Sequence, residues 1–242
     1  MLTAFISVVI GLVFGVGLYM TTSLNPMVPV IAGTVVFGVI YIIMLKQVMG
    51  KVNAGMEAAQ RDMMANRPER AVQLLSEVSS KYANWQFFIN KQMNSQIGMV
   101  YYLKRDFTKA LEYLEKGFVR HWVAMAMLGV IYMKKNKTKE MIGTFDKAVA
   151  GTAKEPLLWN LYGYCLEKVG EKSKAISVME KGLKKTKNHE LLEANLELFK
   201  SGQKMKMQVY GDVWYQFHLE KQGAMIRKQT KAMQGRRKIV RR

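Results

Sequence analysis

Three histidines, one cysteine and eighteen carboxylates are the side chains to examine first for metal, nucleophilic or acid-base chemistry. A zinc site needs ligands at short, regular intervals along an element or across a knuckle. His121, His189 and His218 are scattered instead, and none stands at such a spacing from Cys165 or from another histidine. His121 precedes Trp122 at a turn, His189 follows Asn188 near a helix start, and His218 lies in an aromatic stretch. Glu112, Glu115 and Asp146 fall on helix faces where solvated charge and local ion pairs are expected. A phosphate-binding glycine loop and a nucleophile elbow are both missing from the sequence. The chain reads as a non-enzyme with no cofactor and no metal. A second chemistry is plain attraction: from Lys221 to Arg242 there are nine Lys or Arg and no acid. That run ends in Arg236, Arg237, Lys238, Arg241 and Arg242, a cluster suited to anionic surfaces.

Residues Met1 to Leu45 carry no charged side chain, in a chain whose net charge is +19. Two apolar runs, 2–20 and 27–45, each span about 28 Å as helices, close to the hydrocarbon thickness of a bilayer. Thr21 to Pro26 supplies the turn, with Asn25-Pro26 as the breaker. Backbone polar groups in lipid must be satisfied within the segment, so the runs are expected to form a two-helix transmembrane hairpin over 1–46. A cleaved signal peptide is the competing reading, but no basic region precedes the first run and a second span follows at once. Gly11 and Gly15 stand at the spacing that lets helices approach closely. Lys46 and Lys51 follow the second span and the hairpin tip has no basic residue, which places the rest of the chain in the cytoplasm. A multi-pass location with two spans follows, of the kind seen in a bacterial inner membrane.

Beyond the hairpin the chain repeats itself. Gly98, Gly129 and Gly163 are followed twelve residues later by Ala110, Met141 and Ala175, and four further on by Leu114, Phe145 and Met179. Gly117, Ala148 and Gly182 come three beyond those, each preceded by an acid-Lys pair. Small residues mark where two helices cross, and large apolar ones fill the gap one turn away. Asn136 and Gly170 suit a left-handed turn between the two helices, and Pro156 suits a first helical turn. The first step is 31 residues and the second 34, which predicts a shorter loop between the first two of these units. A weaker unit precedes them, with Ala59, Asn66-Arg67-Pro68, Ala71, Leu75 and Val78, and its first helix continues from the second span.

With Trp159, Tyr162-Gly163, Leu166, Ala175, Met179 and Gly182 on its signature columns, this region resembles the tetratricopeptide repeat family, whose unit is a 34-residue helix-turn-helix. Met141 and Asn94 depart from the family pattern. The resemblance implies an all-α fold: a transmembrane hairpin followed by a TPR-like α-solenoid over 47–202. Its units lie near 52–85, 91–121, 122–155 and 156–189, with a degenerate helix after them.

The resemblance also implies where a partner would bind. Inner residues of each first helix line a concave surface that receives a helix or extended peptide. By spacing these are Gln92, Ser95, Met99 and Tyr102, then Val123, Ala126, Val130 and Met133, then Leu157, Asn160, Tyr164 and Glu167. They are mostly apolar, unlike the Lys, Arg and Asn with which family members clamp a terminal carboxylate. An apolar, Met-containing surface suits an amphipathic helix. The chain's own C-terminal helix is an alternative occupant.

Residues 203–234 are expected to form an amphipathic capping helix, because Tyr210, Trp214 and Phe217 share one helical face. That face either covers the last repeat or lies in a membrane interface. The basic tail is expected over 235–242. The function expected is a membrane-anchored scaffold for protein-protein interaction or complex assembly at the cytoplasmic face. The alternative is a tether of anionic lipid, RNA or ribosomes through the tail, with nucleic acid disfavoured because no aromatic residues interleave its charges.

Overall fold

The computed structural model describes residues 1–22 and 25–220. Among these the regular elements are all helical, and they fall into two compact units, Met1–Leu128 and the part of the chain from Gly129 onward.

The first unit opens with α1 (Leu2–Thr21) and α2 (Met27–Met64). Both are long and apolar enough to cross a membrane. They run antiparallel: Ser7 Oγ stands 3.9 Å from Met44 Sδ, and Gly11 faces Gly33. A Cβ on either glycine would lie 2.8 Å from the other's carbonyl oxygen, so the predicted glycine spacing serves the crossing inside the hairpin. Around it the apolar side chains point outward. Phe5, Val13, Val30 and Ile31 are all more than 60% exposed, which water would penalise and hydrocarbon would not. Ser7 Oγ donates to the Thr3 carbonyl at 2.8 Å, keeping a buried hydroxyl satisfied.

Without a break, α2 changes role along its length. Its second half gives Val48, Val52 and Ala59 to a core shared with α3 (Pro68–Tyr82) and α4 (Ile89–Leu103), through Ala71, Leu75, Ile89, Met93 and Ile97. Next comes α5 (Phe107–Glu115), capped by Asp106, whose side chain accepts the Lys109 amide at 3.1 Å. The 31-residue step comes from α5 itself. That helix has only 9 residues against 14 in the later second helices, and the loop after it, 116–121, is longer rather than shorter than the corresponding 152–155.

Helix α6 (Trp122–Lys134) leads into the second unit, which continues with α7 (Thr138–Gly151), α8 (Pro156–Lys168), α9 (Lys172–Lys185) and α10 (Glu190–Lys200). Pro156 sits in the first turn of α8, where Glu155 caps the Leu157 amide at 3.3 Å. Seven consecutive residues of α8, Leu157 to Gly163, are buried, so this helix is the interior of its unit. Met141, the departure from the small-residue column, is fully buried.

One turn geometry closes every pair. Asn66, Arg105, Asn136 and Gly170 all adopt positive φ (57°, 65°, 57° and 87°). The following amides of Arg67, Asp106, Lys137 and Glu171 each donate to a carbonyl five residues back, at 2.8–3.0 Å. The crossing column is equally regular: a Cβ on Gly98, Gly129 or Gly163 would meet Leu114, Phe145 or Met179 at 2.7, 2.5 and 2.7 Å. Phe145 in turn stacks on Tyr162 at 4.9 Å, whose hydroxyl donates to Asp146 at 2.8 Å.

The C-terminal stretch departs from expectation. Within 203–220 there is no single helix: a 3-10 turn (Met207–Tyr210) and α11 (Asp212–Tyr215) are separated at Gly211, whose φ of 60° and ψ of -140° no helix admits. Residues 221–234 of the expected capping helix and the basic tail over 235–242, with Arg236, Arg237, Lys238, Arg241 and Arg242, lie outside the described residues.

Candidate functional site

The twelve residues predicted for the concave surface separate into three kinds. Some are structural. Ser95 is buried and its hydroxyl accepts the Phe118 amide at 2.7 Å, while Tyr102 is buried edge-on against Phe107 at 5.3 Å. Ala126 and Val130 are fully buried and Leu157 nearly so. Val123 is half-buried.

A second group is covered by the chain itself. In the second unit the segment Met205–Leu219 crosses the inner residues of α8 and α10. Asn160 Nδ2 donates to the Tyr210 hydroxyl at 2.6 Å, and Tyr164 meets Trp214 edge-on at 5.0 Å. The Lys206 amide donates to Asn195 Oδ1 at 2.7 Å, and Lys134 Nζ donates to the His218 carbonyl at 3.2 Å. Trp214 and Phe217 are 1% and 0% exposed. Trp214 and Phe217 are therefore buried and Tyr210 half-buried, although no continuous helix is formed over the described part of this stretch. Burial pushes the Tyr164 and Tyr210 hydroxyls up to about 12, because a phenolate there would be poorly solvated. Met133 and Glu167 stay half-exposed, and Met133 lines a cleft of ≈ 590 Å³ with Tyr164, Lys168, His218 and Leu219.

The third kind is open. In the first unit Met99 lines a cleft of ≈ 540 Å³ between α2 and α4. Met56, Met63, Leu75, Val100 and Leu103 give it an apolar floor, and Asn53, Glu57, Gln60 and Gln96 give it a polar rim. Gln92, also predicted for this surface, donates to Met56 Sδ at 3.5 Å. The contribution of α2 was not anticipated from sequence, although the signal is present. Residues 53, 56, 57, 60 and 63 recur at helical spacing on a helix already recognised as the first of a repeat.

Cys165 and His121 are placed for packing and capping. Cys165 is fully buried, and burial drives its thiol far above the usual range, away from any reactive thiolate. His121 uses Nδ1 to accept the Ala124 amide at 3.3 Å, capping α6, and burial lowers its pKa, favouring the neutral ring. Among the described residues no group of three or more His, Cys, Asp or Glu is placed to hold a metal ion.

Together, the hairpin and the turn-closed pairs make the described residues an all-α fold of repeated helix pairs. No family model matches the chain, and no curated protein does. Among solved structures, the crystal structure of MamA protein is similar, at 14% identity over 75% of this chain and 92% of that one, with a TM-score of 0.44.

Proposed function

We propose that this protein is a membrane-anchored scaffold that holds a partner protein at the cytoplasmic face of a membrane. The hairpin supports the anchor: its apolar side chains are exposed among the described residues, and Lys46 and Lys51 follow it directly. The observation that carries the binding role is the open cleft between α2 and α4. Methionine side chains are flexible and polarisable, and a floor rich in them adapts to apolar side chains presented by another helix. Among the described residues, Glu57 is the charged residue lining that cleft. The partner is accordingly an amphipathic helix whose apolar face carries a single basic residue opposite Glu57.

A photocrosslinking amino acid placed at Met99 of the full chain in native membranes tests this. The expected product is a discrete protein adduct that disappears when Leu103→Glu is introduced. Finding no adduct at Met99, or one indifferent to Leu103→Glu, removes the reading. Protease added outside intact cells tests the orientation separately; digestion of the repeats there defeats the cytoplasmic placement.

A further inference from the structure

The loop between α3 and α4, residues 83–88, is tied to the start of the apolar hairpin. The Leu2 amide donates to the Asn84 carbonyl at 3.0 Å, and Thr3 Oγ1 donates to the Trp85 carbonyl at 2.5 Å. Gln86 Nε2 donates in turn to Thr3 Oγ1 at 2.7 Å. Thr3 is fully buried and Gln86 6% exposed, so this is an internal latch. It also satisfies one of the amides that the first turn of α1 leaves without a helical partner.

The latch fixes the loop's depth. Leu2 begins an apolar helix of 20 residues, about 30 Å long, which matches the hydrocarbon core. Its antiparallel neighbour passes Met44 beside Ser7 and meets its first charge at Lys46. Both helices thus mark the same plane, where hydrocarbon gives way to head groups, and residues 84–86 are bonded at that plane. The side chains there are aromatic. Phe87 is 65% exposed, with Phe88 edge-on beside it at 5.5 Å and Trp85 half-buried. Lys81 and Lys91, both exposed, stand on the helices at either side of the loop. An outward Phe is unfavourable in water but favourable among acyl chains just below the head groups, where aromatic rings concentrate. Flanking ammonium groups favour anionic head groups.

We infer that residues 83–88 form an interfacial anchor in which Phe87 inserts into the lipid surface, flanked by Lys81 and Lys91. The occupant of this face is the bilayer, and the first repeat is thereby held against the membrane at α2 and at the loop. The inference rests on the membrane reading of the hairpin, and the test separates the two.

The full chain, with Cys165→Ala, is reconstituted in phosphatidylcholine vesicles containing phosphatidylglycerol. A nitroxide label is attached in turn at Phe87→Cys, at Val13→Cys in the hairpin, and at Thr108→Cys on an exposed turn. Relaxation by oxygen, which partitions into lipid, is compared with relaxation by a water-soluble nickel chelate. The expected result is a label at 87 with several-fold higher oxygen-to-nickel ratio than at 108, and a still higher ratio at 13. A label at 87 that matches 108 while 13 remains lipid-exposed overturns the anchor alone. Aqueous behaviour at 13 overturns the hairpin reading as well. In the unsubstituted chain, a photoactivatable lipid must label the peptide containing 83–88. Labelling of the hairpin peptides with none in the peptide containing 83–88 would refute the inference.

Discussion

Replacing Trp214 with alanine is the most direct way to ask whether Met205–Leu219 is a cover or part of the folding core. The side chain is 1% exposed and lies edge-on against Tyr164 at 5.0 Å. Truncating a buried Trp costs about 3–5 kcal/mol, from lost burial and the cavity left behind. Other attachments of the segment include Phe217 and Met207 in the core, the bonds from Asn160 and to Asn195, and the Lys134 bond to the His218 carbonyl. If they hold it less firmly than α8 and α9 hold each other, the loss is met locally. Amides of 205–219 then exchange roughly 10²–10³-fold faster, since each tenfold corresponds to about 1.4 kcal/mol. Hydrogen exchange with mass spectrometry on the full chain in detergent reads this peptide by peptide. Helices α8 and α9 keep their protection if the segment is a cover. Parallel loss of protection in α8 and α9 would refute the cover, and unchanged exchange in 205–219 would refute the placement of Trp214.

The same segment is expected to loosen in alkali. With Tyr164 and Tyr210 held at about 12 against about 10 in water, docking is at full strength below pH 10 and weakens from 10 to 12, as only the released state ionises readily. Trp fluorescence should follow this release, and Tyr210→Phe should make it shallower. Gly129→Leu places side-chain atoms where Phe145 already stands, at 2.5 Å from a Cβ, and should destabilise the second unit by about 1–3 kcal/mol. Thermal unfolding checks it, with Phe145→Leu in the same chain recovering part of the loss. Arg105→Gly relieves a side chain held at φ 65° and should raise stability by about 0.5–1 kcal/mol, seen as a higher denaturant midpoint.

The repeat was legible because its physics is local. A glycine sixteen residues before a large apolar side chain recurs three times, and each pair meets at a helix crossing. Asn136 and Gly170 announced their turns by residue type, whereas Arg105 did not, since a left-handed arginine costs only about 1–2 kcal/mol and packing overrides it. The short α5 was misread as a short loop because spacing fixes the sum of helix and loop, not its division. In the site, spacing nominated residues of the first helices but could not say that Ser95, Ala126 and Val130 would be buried or that Asn160 and Tyr164 would be covered. The covering depends on a contact fifty residues distant, between Asn160 and Tyr210. Trp214 and Phe217 are buried and Tyr210 is half-buried, but the stretch expected as one helix breaks at Gly211, which was not weighed as a break. The aromatic loop around Phe87 lacks periodicity, and only its bonds to Leu2 and Thr3 give it a location.

Helix α2 runs from Met27 to Met64 with no joint between the apolar half and the half that belongs to the first repeat. A rigid rod transmits torque as well as position. Each residue added between Lys46 and Lys51 would swing the α2–α4 cleft by about 100° around the axis of α2, and seven added residues would bring it almost back to its starting azimuth. The direction in which the cleft faces about the α2 axis is thus a geared quantity, set by a residue count inside one helix rather than by the drift of a linker.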